Sequence, residues 1–327
     1  MSMDQNEKPV WATEFILDLE KRGRRESTVK RYQYDLEDYL AWIRVNEYSY
    51  EDPEVLKTDF IQTYLNYLME ERSYSFRTLK RVYSVLKQYH QYLVLMKRIP
   101  HNPVASITLD RLVEDAFTED MFITEDERQR LIETVPTETG LTENQLKAHP
   151  YLSKRNLGIL TLLLDHGLTL HEVSAIEMRH LSFIQHELKI EPGVAEPERV
   201  IQLTKEQSEM LYHYYESIPA AVRPAQYSAD PFFVAFDFKR LTYRWNYEEN
   251  RPKRLTEIAI QKMIRQEVKR AGLRKGISSQ HFRRTAIYEG LKANHDIQDV
   301  QYRFGLKTPL TLKRYLAYLE KDRISTS

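Results

Sequence analysis

The chain has 327 residues, with 48 basic and 48 acidic side chains, 9 glycines and no cysteine. At roughly 150 residues per domain this length suggests two domains, and the glycine content is under half the usual ~7 %, which disfavours glycine-rich phosphate loops and turn-dense β folds. Without cysteine there are no disulfides, thiol catalysis, iron–sulfur clusters or cysteine zinc sites, and a net charge of zero argues at first sight against a nucleic-acid partner.

The opening residues, MSMDQNE, lack the apolar core of a signal peptide. No run of about 18 apolar residues is present to span a membrane, so a cytoplasmic protein without membrane contact is expected, with residues 1–8 as a tail. Helical periodicity then covers 9–20, 27–46, 57–71 and 75–97, a four-helix unit spanning 9–105 that closes past Asn102-Pro103. Residues 106–122 are acidic and weakly periodic and read as a linker. A second domain, 123–327, opens on Thr124-Glu-Asp-Glu, a capping box ahead of Leu131-Ile132. An apolar helix follows over 154–167, then a helical HEVSAIEM from His171. Glu187–Glu191 and Arg199–Leu203 alternate like two strands around a turn bearing Pro192 and Gly193. Residues 230–236 read as a further extended piece, and everything from 256 onward as helix. The expected class is mainly α, a helical domain and a larger helical domain with a small β-hairpin.

The zero net charge conceals an uneven distribution. Residues 21–31 carry six basic side chains and one acid, and 72–98 carry seven and none. Residues 251–284 carry eleven against Glu257 and Glu267, whereas 110–150 hold eleven acids and four basic residues. In Thr256–Ala271, Ile260, Ile264, Val268 and Ala271 share one helical face, and Lys262, Arg265 and Lys269 lie opposite. In the helix near 75–97, Leu79, Tyr83, Leu86 and His90 lie on one side, with Arg77, Arg81, Ser84 and Gln88 on the other. A solvated face would more often intersperse Glu and Asp for pairing one turn away. Arginine with serine and glutamine offers phosphate contacts and base-edge donors instead. Double-stranded DNA is therefore the expected partner. Arg77, Arg81, Lys253, Arg254, Lys262, Arg265, Lys269, Arg283 and Arg284 are the candidate phosphate contacts, and Ser84 and Gln88 the base-edge candidates.

Several segments resemble the tyrosine recombinases, or phage integrases. Ser27 to Leu36 is similar to a helix start of their core-binding domain, and Leu86-Lys-Gln-Tyr-His-Gln-Tyr-Leu with Ile99-Pro-His-Asn-Pro-Val-Ala to that domain's last helix and exit. Asp165-His-Gly-Leu-Thr-Leu-His-Glu-Val resembles A-T-G-L-R-x-S-E-L, and Ser278 to Thr285 (SSQHFRRT) resembles S-P-H-x-L-R-H-T. Phe304-Gly305-Leu306 through Tyr315 resembles L-G-H-x-x-x-x-T-x-x-Y, with Tyr315 placed 32 residues after Arg283. The resemblance implies a two-domain clamp, with a SAM-like core-binding domain and a catalytic domain. It also implies metal-free and cofactor-free chemistry, in which a tyrosine attacks a DNA phosphodiester. Two arginines stabilise the developing charge, a hairpin lysine protonates the leaving oxygen, and two histidine-type positions handle protons.

Carried over position by position, the nucleophile is present as Tyr315, the second arginine as Arg283 and the acid after the first arginine as Glu172. The first arginine falls on Thr169, the lysine on Val194, the histidine positions on Gln280 (with His281 one residue late) and Arg284, and the last on Leu306. Lys189, Lys205, His171 and Arg179 are nearby in sequence, but none has the required offset. Tyr315 also fits a packing role beside Tyr318. These departures imply a vestigial site and a protein that is not an enzyme. Such a chain would be a sequence-specific DNA-binding repressor that maintains prophage lysogeny at the bacterial nucleoid, self-associating on DNA and open to a regulatory protein or peptide. An active recombinase using Tyr315 with displaced partners is the alternative.

Overall fold

Four helices form where the apolar periodicity places them: α1 (Val10–Lys21), α2 (Glu26–Val45), α3 (Thr58–Glu70) and α4 (Phe76–Leu95). The computed structural model describes residues 9–24, 26–50, 53–107, 117–191, 198–293 and 296–325, and it divides into two units at residues 114 and 115. In the first unit Ser75 caps α4 by accepting the Thr78 N–H, which suits a serine ahead of a helix. The core gathers Phe15, Leu36, Tyr39, Ile61, Leu65, Val82 and Leu86. Tyr39 and Tyr64 rings meet at 4.9 Å, and Trp42 and Phe60 at 5.0 Å edge-on. Each such buried side chain contributes roughly 1.5–3 kcal/mol. His90 sits among them almost wholly covered, its Nδ1 donating to the Leu86 carbonyl at 2.8 Å. Burial holds it neutral, with its pKa lowered to about 4.

The second unit opens on α5 (Glu125–Thr134), capped by the Thr124 box expected from the sequence. Helix α6 (Glu143–Asp165) begins eleven residues ahead of its expected start, capped by Thr142 and Gln145 and running through Pro150. Burial of Ala148 and Leu152 on either side of that proline offsets its lost N–H. After α7 (Leu170–Ala175) come β1 (Leu181–Ser182), β2 (Glu187–Ile190) and β3 (Arg199–Gln202), an antiparallel sheet in that order. Leu188 opposes Ile201, and Ile190 opposes Arg199. Helix α8 (Lys205–Ser217) was not anticipated from the sequence. Neither were two small pairs, β4 (Phe236–Asp237) with β5 (Thr242–Tyr243), and β6 (Trp245–Asn246) with β7 (Arg251–Pro252). The chain ends with α9 (Glu257–Arg270), α10 (Ser279–Lys292), α11 (Ile297–Arg303) and α12 (Lys313–Ser325).

Two cores hold this unit. Ile159, Leu160, Leu163, Phe232, Val234, Ile260 and Phe282 belong to the larger. The smaller joins Phe117 and Phe122 to Ala286, Phe304, Leu312, Tyr315 and Leu319. Residues 117–122, expected as linker, are thus part of a core, because the two phenylalanines supply apolar surface that an acidic composition conceals. Residues 1–8, 108–116 of the expected linker and 192–197 of the expected hairpin turn lie outside the described residues.

Candidate active site and nucleic-acid interface

Two guanidinium groups share one partly buried carboxylate. Glu172 stands in the first turn of α7, where its Oε2 accepts the Thr169 N–H at 2.7 Å and the Thr169 hydroxyl accepts the Glu172 N–H. Its Oε1 takes Nη2 of Arg199 at 2.5 Å, and Nη1 of Arg283 stands 3.9 Å from Oε2. Burial would raise the Glu172 pKa, but Arg199, the Thr169 amide and Arg283 together hold it below the usual carboxylate range. Backbone carbonyls complete the cradle. Arg283, on α10, donates to Gly167 O and Phe304 O, each at 2.6 Å, while Arg199 Nε donates to Arg303 O at 3.2 Å. Gly305, at φ +57°, leaves the room: a Cβ there would stand 2.6 Å from Arg199 Nη1.

Tyr315, near the start of α12, is 6 % exposed and packs in the same stripe as Leu312 and Leu319. Its ring meets that of Phe117 at 4.7 Å, and the Arg314 guanidinium lies 4.3 Å from the centre of the Phe117 ring. Burial pushes the Tyr315 hydroxyl above the usual phenol range, while Arg283, Arg284 and Arg314 pull in the opposite direction without overcoming it. The packing role is thus observed directly, in the contact with Phe117 and the place in the smaller core. Arg284 adds a contact from its guanidinium to the Phe117 ring at 5.9 Å.

At the remaining family positions, Thr169 is a helix cap, which is the local use of a threonine there. Val194 lies outside the described residues. Gln280 is exposed on α10, and His281 turns its Nδ1 back to accept the Ser278 N–H at 3.2 Å. Burial, with Arg284 and Arg274 nearby, lowers the His281 pKa. Leu306 is buried in the smaller core. Of the nearby alternatives, Lys189 and Lys205 are exposed, His171 bonds Glu257 and Arg179 pairs with Glu177 and Glu191.

The cationic faces divide into outward and internal groups. Lys262, Arg265 and Lys269 are all exposed along α9, opposite buried Ile260, Ile264 and Val268. Lys253 and Arg77 are likewise exposed. Four other candidates are engaged within the fold, which the sequence pattern does not disclose. Arg81 is ion-paired with the buried Asp35 of α2. Gln88 donates to the Tyr32 hydroxyl at 3.0 Å, and Ser84 donates to Lys80 O at 2.8 Å along its own helix. Arg254 ties Ser174 O and Glu177, both at 2.7 Å. Sequence reasoning missed Arg199. Its signal was the phase of R-V-I-Q, which puts Arg199 on the same strand face as Ile201.

Among the described residues no helix is long and apolar enough to cross a membrane, and no cluster of His, Asp or Glu is arranged to hold a metal ion. Residues 12–97 match the N-terminal SAM-like domain of phage integrases, and residues 121–321 match the phage integrase family. The tyrosine recombinase XerD of Staphylococcus saprophyticus is 25% identical over 94% of this chain and 93% of its own length. XerD of Listeria monocytogenes is 22% identical over 87% of this chain and 86% of its own. In fold, the chain is similar to the Tn1549 transposon integrase in complex with a circular intermediate DNA (TM-score 0.64, 16% identity, 97% of this chain and 100% of that one). It is also similar to XerH recombinase bound to its difH substrate (TM-score 0.65, 14% identity, 93% and 80%). The absent family positions led to the expectation of a protein that is not an enzyme. Relatives that match along most of the chain and are named recombinases overturn it. With both domains matched and the helical fold in place, the chain belongs to the phage integrase family of tyrosine recombinases.

Proposed function

We propose that the chain is a site-specific DNA strand-transfer enzyme with Tyr315 as nucleophile. The observation that carries this reading is Tyr315 seated against Phe117, with the Arg284 and Arg314 guanidinium groups on that same ring, inside the segment that matches the phage integrase family. The Tyr315 oxygen attacks a phosphodiester of double-stranded DNA, a phosphorus–tyrosyl bond forms, and the bond to the 5′ oxygen breaks. The tyrosine's proton is lost, the 5′ oxygen gains one, and attack by another 5′ hydroxyl reverses the exchange. Arg283 with Arg284 balances the charge that grows on the non-bridging oxygens. Attack requires the hydroxyl to leave its packed position against Phe117. One missing oxyanion donor costs ~10²–10³ in rate, so the cation absent at Thr169 makes slow turnover the expectation.

The test is a nicked suicide duplex carrying a site selected from a random library. A covalent protein–DNA adduct on a denaturing gel, lost in Tyr315→Phe, supports the reading. Full site occupancy by the wild type with no adduct after hours overturns it. The outward cations of α9 support a second role as a repressor: a protein seated at a promoter occludes polymerase and maintains lysogeny. Promoter-centred occupancy with derepression on deletion is its measure.

A further inference from the structure

The cradle around Glu172 holds one more charge than a simple ion pair would. Arg283 and Glu172 alone would neutralise each other at 3.9 Å, leaving little field for an incoming anion. Arg199 makes the direct bond to the carboxylate at 2.5 Å, so the group of three carries a formal charge of +1. Arg199 itself cannot meet DNA, since it is 1 % exposed and closed over by Gly305. Arg283 is the more accessible member, with 15 % of its side chain exposed and three of its surroundings fixed by Gly167 O, Phe304 O and Glu172. The arrangement separates two tasks: one arginine satisfies the acid, and the other retains its charge.

We propose that Arg199 is a positioning residue for the phosphate-holding arginine, because by neutralising Glu172 it keeps the charge of Arg283 available to a DNA phosphate. This rests on the reading above that Arg283 faces a phosphate. Loss of Arg199 strands the carboxylate, which draws Arg283 inward from 3.9 Å and cancels its charge. Removing the carboxylate as well releases Arg283 again. A merely structural arginine gives no such reversal.

The experiment measures binding of the full chain to a fluorescent duplex of about 30 base pairs across a salt series. Arg283→Gln provides the reference, and its loss of one phosphate contact lowers the salt slope by about 0.9. Arg199→Met weakens binding about tenfold with the same reduction in slope. Arg199→Lys retains most of the affinity. The combined Arg199→Met and Glu172→Gln chain returns to within about threefold of the wild type. A double variant as weak as Arg199→Met, or an Arg199→Met chain that binds like the wild type, overturns the proposal. If Arg199→Met alone does not fold, the double variant, whose cradle keeps the same formal charge of +1 and a similar volume, decides: binding within about threefold of the wild type supports the proposal, and binding as weak as that of Arg283→Gln overturns it. If Arg283→Gln leaves affinity and slope unchanged, it is the phosphate-binding reading of Arg283 that fails. Absence of a covalent adduct bears only on strand transfer and leaves the binding cycle intact.

Discussion

The outward face of α9 gives the most direct measure of the DNA surface. Replacing Lys262, Arg265 and Lys269 together by glutamine removes three exposed cations without touching Ile260, Ile264 or Val268 beneath them. Exposed substitutions of this kind change stability by about 0.5 kcal/mol or less each, so the helix and its core survive. If each cation neutralises one phosphate, the slope of log affinity against log salt falls by about 3 × 0.9, or 2.7. Across a fourfold rise in salt, from about 50 to 200 mM, that slope corresponds to roughly 40-fold. The wild type should therefore lose about 40-fold more affinity than the triple variant over that range, read by fluorescence anisotropy on one duplex. Parallel salt lines for the two proteins would show that this face does not meet the backbone, whatever the absolute affinities.

Three further outcomes are expected. His90, neutral in the folded state with its pKa lowered to about 4 by burial, takes up a proton near 6.5 once unfolded. Stability is therefore full above 6.5 and falls by about 1.4 kcal/mol per pH unit from there down to about 4, or about 2 kcal/mol at pH 5. Urea unfolding of a Trp245→Phe chain, read from Trp11 and Trp42 in the first unit, should show this loss, and His90→Leu should abolish it; an equal pH dependence in both chains refutes the assignment. Thr169→Arg restores a cation at the family's first arginine position and should raise the rate of covalent adduct formation by ~10²–10³, while loss of the cap costs about 1 kcal/mol in a thermal melt. A rate unchanged by that arginine excludes a charge deficit at this position as the cause of slow turnover. Gly167→Ala meets a left-handed backbone at φ +58° and a Phe304 ring carbon 2.8 Å from the new Cβ. It should destabilise the second unit by about 2–4 kcal/mol in the same melt, the sum of backbone and overpacking costs.

Much of the fold could be read along the chain wherever a local signal sufficed. The Thr124 capping box, the apolar stripe of α9 and the alternation of Glu187–Ile190 against Arg199–Gln202 each report one element's own period. What escaped depends on partners distant in sequence. A helical wheel places Arg81 on the polar side of α4 but contains nothing about Asp35, which lies 46 residues earlier on another helix. Arg254 likewise reads as a free cation until Glu177 and the Ser174 carbonyl are seen beside it. Phe117 and Phe122 belong to a core assembled from α10, α11 and α12, so the acids around them give the wrong impression of a linker. At the candidate site the family motifs located Arg283, Glu172 and Tyr315. The charge balance that joins them needed Arg199, and strand alternation alone does not say which phase of R-V-I-Q points inward.

Tyr315 is under two separate demands. Its ring fills a place between Phe117, Leu312 and Leu319, and its oxygen carries the proposed nucleophilic role. Most substitutions violate both demands at once, so an inactive variant is ambiguous between a lost reagent and a collapsed tail. Phenylalanine retains the ring and deletes only the oxygen, which makes it the one natural side chain that separates shape from reactivity here. By the same reasoning a cut before α12 is uninformative about chemistry, because it empties the cavity and removes the reagent in a single step.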